Sequence, residues 1–223
     1  MKQLALVSLL LVLCICARAQ VKDSTGFQGF KTPRFAERDN IVKWSSFSYI
    51  TGQIILCGEI RLSYERMLAY NHSLTVTGSY NYPNPILIVD ALLRPKSSFL
   101  SQYSIRGGRI AVGYRFYPLK GFRAPEGLFI GPYVSYNIVK VKERNGNGDY
   151  LTINNFNANA IVGYQFQMGD HWYVEVFSGL GYKNSFMINY DAANNKSSRS
   201  PYYLIKPLRH FNLCGQLNIG YAF

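Results

Sequence analysis

Charge is scarce in this chain. Asp, Glu, Lys and Arg make up 16% of its 223 residues, whereas 48% are apolar, a balance that excludes a disordered polymer. Long apolar runs are also missing. Past the N-terminus none reaches the roughly 18 residues of a spanning helix, which excludes a helical membrane protein. Cysteine is sparse: of four, Cys14 and Cys16 sit in the N-terminal segment, and the remaining Cys57 and Cys214 are too few for a disulfide framework. The three histidines, His72, His171 and His210, form no metal-ligand spacing, so neither metal nor cofactor is expected. Aromatic residues are abundant by contrast, with 18 Tyr, 14 Phe and 2 Trp, beside 19 Gly.

The first 20 residues carry Lys2, an apolar run from Leu4 to Cys16, and Ala17-Arg18-Ala19 before Gln20. This is the order of a secretory signal peptide, with residues 1–19 removed by cleavage after Ala19. No small residue precedes Cys14 or Cys16, so lipid attachment is not expected. Processing lowers the formal charge from +12 to +10, because only Lys2 and Arg18 leave. Residues 20–40 read as a polar linker on the periplasmic side, and 41–223 as one domain.

From Ile41 onward the apolar pattern has period two. In Phe156–Phe166 the even positions are Phe, Ala, Ala, Val, Tyr and Phe, and the odd ones are mostly Asn, Gly and Gln. The last segment sets Phe211, Leu213, Gly215, Leu217, Ile219, Tyr221 and Phe223 against a largely polar face. Such alternation sends the two sets to opposite faces of a strand. Applied throughout, it predicts eight strands over 41–50, 53–67, 72–82, 104–117, 127–141, 152–168, 171–183 and 209–223.

Period two fits a soluble barrel with apolar residues inside or a membrane barrel with them outside. The polar face decides for the second. It is rich in small uncharged groups such as Ser73, Thr75, Thr77, Asn157, Asn159 and Asn218, where a wetted face would carry Lys and Glu. The aromatics also sort to strand ends, with Trp44, Tyr64, Tyr114, Trp172, Tyr221 and Phe223 at one end and Tyr80, Tyr136, Phe156, Tyr182 and Phe211 at the other. Two aromatic girdles with short turns inside and long loops outside are the pattern of a transmembrane barrel. The fold predicted is all-β, an eight-stranded antiparallel up-and-down barrel in the outer membrane of a Gram-negative bacterium.

Several segments resemble the small eight-stranded outer-membrane barrels of the OmpA/OmpX type, and more narrowly an uncharacterised Bacteroidetes barrel family of unknown function. They are Val42-Lys43, a Gly-containing turn with Leu62-Ser63-Tyr64-Glu65-Arg66, and Val112-Gly113-Tyr114-Arg115-Phe116-Tyr117. The resemblance implies fold and location and supplies no activity. The end of the chain, with Gln216, Tyr221 and terminal Phe223, resembles the signal read by the barrel-insertion machinery. Asn218 departs from it where that signal usually has Gly.

An eight-stranded barrel is just wide enough to be filled by its own side chains. The inward charges expected are Lys43, Glu59, Arg61, Glu65, Arg109, Arg115, Glu175 and Lys183, with Glu65 and Glu175 meeting Arg61, Arg109 or Arg115. A polar core that locks the barrel is favoured over a narrow ion or proton path. Cys57 and Cys214, both inward but about two strand spacings apart, are not expected to bond. A Cys214–His210 dyad is open on this register, yet no oxyanion donor accompanies it.

Two outer segments stand out. Ile86, Leu87, Ile88, Val89, Leu92 and Leu93 make a loop too apolar for water, which either packs over the mouth, extends a strand or docks a protein partner. Lys196, Arg199, Lys206 and Arg209 lie in a basic, aromatic loop suited to the phosphates of lipopolysaccharide, export making nucleic acid an unsuitable partner. The function expected is that of a non-catalytic structural or surface-interaction protein in contact with outer-membrane lipid. The alternatives are a lipocalin-like carrier of an apolar ligand, with faces reversed, and an outer-membrane lipid-modifying enzyme.

Overall fold

A computed structural model describes residues 39–45, 57–94, 99–119, 125–144, 149–192, 194, 196–202 and 210–223. The expected signal peptide, most of the linker, the segment 46–56, Lys206 and Arg209 lie outside the described residues. The strands are β1 (Asn40–Ser45), β2 (Cys57–Ala69), β3 (His72–Pro83), β4 (Tyr103–Phe116), β5 (Gly127–Glu143), β6 (Tyr150–Met168), β7 (Trp172–Asp191), β8 (Lys196–Pro201) and β9 (Phe211–Ala222). Two helices, α1 (Pro85–Leu93) and α2 (Phe99–Gln102), lie between β3 and β4.

Eight of the nine strands close a barrel. Each of β1 to β7 pairs antiparallel with its successor, β7 pairs with β9, and β9 returns to β1 through Ile41↔Ala222 and Trp44↔Ile219. At the short-turn end, where β1 is described, the pairing leaves no free edge among the described residues. The first and last strands meet at the short-turn end, where the Phe223 amide donates to the Asn40 carbonyl at 3.0 Å. One turn at this end passes through Gly169, whose φ of +72° suits glycine.

Alternation decides which residues face out. On β9, Asn212, Gln216 and Asn218 are buried while Phe211, Leu213, Ile219 and Tyr221 are exposed. On β2 the buried set is Glu59, Arg61, Ser63 and Glu65 and the exposed set Ile60, Leu62 and Tyr64. The apolar side chains therefore cover the outside and the polar ones fill the lumen. A carrier of an apolar ligand needs the opposite arrangement.

The structure corrects three expectations here. The segment read as a long loop over 184–208 is partly strand: β7 runs on to Asp191 and turns back as β8, with Phe186↔Pro201 and Asp191↔Lys196 paired. Phe186, Ile188 and Tyr190 continue the alternation, but the returning Lys-Ser-Ser-Arg-Ser-Pro is polar throughout and leaves no period to read. The apolar segment after β3 is helical rather than extended. Asn84 caps it by accepting from the Ile86 amide at 3.0 Å, and Pro85 opens the first turn.

Third, the lumen is not wholly polar. On β5 the inward Phe129 and Tyr133 join Ala111, Tyr117, Ile161 and Phe177 in a buried, largely aromatic cluster. The rings fit because the facing positions are glycine. A Cβ on Gly163 would press into Phe129 and Phe177 at 2.5 Å, and one on Gly113 would stand 3.0 Å from the Tyr133 ring.

The wall is uneven in height. Beyond Asn81↔Gly107 on one side and Tyr182↔Phe211 on the other, β4–β7 continue past the ring and β8 extends this standing sheet. Its inward face carries Ile105, Val139, Val141 and Ile153, which with Cys57 form a second apolar cluster covered by Leu87 of α1 and by Phe99 and Leu100 of α2. A small hydrophobic core thus stands at the long-loop end of the lumen.

Candidate functional site

The inward charges gather in two clusters. At the short-turn end, Lys43 on β1, Glu65 on β2, Arg115 on β4 and Glu175 on β7 converge from around the ring, each no more than 2% exposed. Arg115 grips Glu175 through two parallel bonds, Nη1 to Oε2 at 2.5 Å and Nη2 to Oε1 at 2.9 Å, and reaches Glu65 at 3.1 Å. Lys43 forms ion pairs with both carboxylates and donates to Gln165 at 2.6 Å. Glu65 also accepts from Ser73 and from Tyr117 at 3.0 Å. Two cations face two carboxylates, so the cluster is neutral and its oxygens are well supplied with donors. That is the condition under which buried charge is tolerated.

Nearer the long-loop end, Glu59 accepts from Arg61 at 2.5 Å and from Ser79 at 2.5 Å, with Arg109 3.5 Å away. Arg109 donates to Ser135 at 3.1 Å. Here two arginines share one carboxylate; the Nε atoms of both, like that of Arg115, lack a hydrogen-bond partner among the described residues. Glu65 and Glu175 were expected to meet Arg61, Arg109 or Arg115. Only Arg115 reaches them, because Glu59 on β2 lies two residues from Arg61 and takes it locally. Lys183 faces the lumen opposite Asn157 but stands apart from both clusters, half-buried.

Gln216 and Asn218 of β9 join the clusters. Arg61 Nη1 donates to Gln216 at 3.0 Å, Gln216 donates to Asn218 at 2.5 Å, and Asn218 donates to Glu175 at 2.7 Å. Asn218, the position that departs from the C-terminal signal, is thereby a structural donor to the Glu175 carboxylate. Tyr221 and Phe223 point outward and are exposed.

Arginine also explains the lumen aromatics. The Arg115 guanidinium sits 4.5 Å from the Phe129 ring centroid and 6.0 Å from that of Phe177, and Arg109 lies 5.9 Å from that of Tyr133. Ring faces attract a desolvated cation without adding a group that itself needs partners. Phe129 and Tyr133 were missed in the sequence because they share the inward face of β5 with polar Ser135 and Asn137. The facing Gly113 and Gly163 were the available sign.

The histidines are all bound up with the girdle aromatics. His72 stacks on Tyr114 and Phe116, His171 on Tyr221 at 5.1 Å, and His210 on Tyr182 at 5.2 Å. The expected inward placement of His210 is therefore corrected: its ring lies on an outward tyrosine, with Nδ1 3.3 Å from the Lys183 carbonyl. Stacking at the strand start overrides the alternation there. Cys57 and Cys214 are both free thiols.

At the mouth, the apolar segment divides by face. Leu87 packs into the core beneath α1, while Ile86, Ile88, Val89, Leu92 and Leu93 are exposed, the last two at 76% each. Of the four expected lipid-contacting basic residues, Lys196 and Arg199 are exposed on β8. Lys206 and Arg209 lie outside the described residues. Among the described residues no group of three or more His, Cys, Asp or Glu is placed to hold a metal.

No protein-family model matches this chain, and no curated protein matches it. Four chains of solved structure match it. One is a major outer membrane protein from Thermus thermophilus, 12% identical, with 83% of this chain and 98% of that chain covered and a TM-score of 0.45.

Proposed function

We propose that this barrel spans the outer membrane of a Gram-negative cell and serves, without catalysis, as a structural and surface-interaction protein. On this reading residues 1–19 are the export signal, the short-turn end lies in the periplasm, and the long-loop end faces outward. The chain is inserted through its C-terminal strand and is kin to the small barrels of the OmpA/OmpX type. The observation that carries the reading is the apolar outer surface bounded by two aromatic belts. Phe211 and Tyr221, ten residues apart on β9, are about 33 Å apart along the strand, or about 25 Å along the axis at a tilt near 40°, which is the height of a lipid-facing band.

The interior supports a locking role rather than transport. The linked charge clusters, the aromatic cluster and the mouth core occupy successive levels of the lumen. Partner binding falls to the outer end, where α1 turns apolar side chains to the outside, a surface suited to an apolar patch on another protein. Fractionation tests the location. The protein should sediment with outer membranes and run faster on gels unheated than boiled. Recovery in a detergent-free soluble fraction would contradict the reading. In planar bilayers the purified barrel should give no steady conductance.

A further inference from the structure

The standing sheet carries a second feature, on its outward face. Register aligns the outward residues of adjacent strands in rows. The first row is Ile110↔Tyr136↔Phe156, the next Gly108↔Ile138↔Asn154, and the third Arg106↔Lys140↔Thr152↔Ile188↔Arg199. In the row beyond, Ser104 opposes Lys142. Moving away from the barrel along β4 and β5, the outward positions therefore change from Ile110 and Tyr136 to Gly108 and Ile138 and then to the cations Arg106 and Lys140. Phe186, Tyr150 and Tyr190 flank the cations on β6 and β7, and no acidic residue stands among these positions.

We propose that Arg106, Lys140, Lys142 and Arg199 form a binding site for the phosphate groups of outer-leaflet lipid. The inference rests on the outer-membrane reading and adds a headgroup chemistry to it. Three observations lead there. Successive outward positions are about 5 Å apart along the axis at a tilt near 40°, so Lys140 stands one step beyond Ile138, the last apolar side chain of its face. That is where the hydrocarbon gives way to headgroups. Arg106 and Lys140 also oppose each other directly on one face, a like-charge pair that is unfavourable without an anion between them. None of the four cations forms an ion pair with a described carboxylate; Glu143, next to Lys142, alternates to the other face.

The third observation is that two of the cations are held in place. Lys140 Nζ sits 3.6 Å from the Tyr150 ring centroid, Tyr150 stacks on Tyr190 at 4.8 Å, and the Arg199 guanidinium lies 3.8 Å from the Phe186 ring centroid. These rings share the outward face with the cations and line it without competing for the anion. Guanidinium and ammonium groups on one such face suit phosphate oxygens, which accept several charge-assisted hydrogen bonds at once.

The test uses the full barrel in phosphatidylcholine vesicles doped with diphosphoryl lipid A, or with the same lipid dephosphorylated. Lipid retained after mild detergent extraction is read by native mass spectrometry. The wild-type protein should keep the phosphorylated lipid roughly tenfold better, and added salt should erode the preference. The triple variant Arg106→Gln, Lys140→Gln, Lys142→Gln should lose it. Lys196→Gln, which lies on the opposite face of β8 from Arg199, should keep it. Equal retention of both lipids by the wild-type protein would overturn the site, and that comparison needs no variant to fold. Failure of the wild-type protein to float with the vesicles would instead overturn the membrane reading, and the site with it.

Discussion

The charge cluster at the short-turn end balances two cations against two carboxylates drawn from four strands, whereas the cluster nearer the mouth sets Arg61 and Arg109 against Glu59 alone. In the first, Arg115 is clamped by a fork of two bonds and lies between carboxylates of β2 and β7. In the second, Arg109 touches its carboxylate only at 3.5 Å. The first cluster thus ties distant parts of the ring, and the second leaves one cation in excess. A buried charge stabilises a fold only when its partners are complete, and taking one partner from a complete set costs more than taking the surplus cation from an incomplete one.

The same substitution made in both clusters breaks this comparison most sharply. Arg115→Met leaves Glu65 and Glu175 facing Lys43 alone, and should lower stability by about 3–5 kcal/mol, measured by urea unfolding from lipid vesicles with Trp44 and Trp172 fluorescence. Next in size, Asn218→Gly removes a charge-assisted bond to Glu175 and the link between the clusters, at a cost of about 1.5–3 kcal/mol in the same assay. It also brings the C-terminal segment closer to the usual insertion signal, so assembly in cells should not slow. Arg109→Met removes the surplus cation and leaves the Glu59–Arg61 pair whole. The change expected is within about 1 kcal/mol of wild type, since Glu59 keeps Arg61 and Ser79 and no buried charge is left unpaired. A loss equal to that of Arg115→Met would erase the distinction between the clusters.

The smallest effect should come from outside the lumen. Leu92→Ser with Leu93→Ser alters exposed side chains that touch neither cluster, so stability should move by no more than about 0.5 kcal/mol. The measurement that separates these residues from the core is crosslinking in intact cells from positions 92 and 93, where partner adducts are expected from α1 and from no lumen position.

Which parts of this were legible in the sequence follows from what period two encodes. On β6 and β9 one face is polar, so the alternation reads directly as facing, and the inward Asn and Gln positions follow. On β5 the period still gives the outward Ile130, Val134, Tyr136 and Ile138, but the inward set mixes Phe129 and Tyr133 with Ser135 and Asn137. Room for the two rings depends on glycines of neighbouring strands, Gly163 and Gly113, brought opposite by register. Charge pairing was harder still. Glu59 and Arg61 share a face two residues apart, so their contact is local, but Lys43 reaches Glu175 across 132 positions of chain. Only closure of β9 onto β1 sets that contact. For α1, a short apolar run fits strand and helix equally; the Asn84-Pro85 pair was the helix-start signal that could have separated them. Of the cationic row, Arg199 was marked in sequence by its basic surroundings, but its alignment with Arg106 and Lys140 is set by register across β4 to β8.

The central claim is that apolar faces meet lipid while a filled polar lumen locks the barrel, and β9 offers the most direct test. In a Cys57→Ser, Cys214→Ser background, nitroxide labels placed singly from 212 to 219 in the vesicle-bound protein report collisions with oxygen dissolved in the hydrocarbon. The account predicts a two-residue period, with high collision rates at Leu213, Leu217 and Ile219 and low ones at Asn212, Gln216 and Asn218. High rates at the second set, or no period at all, would contradict it.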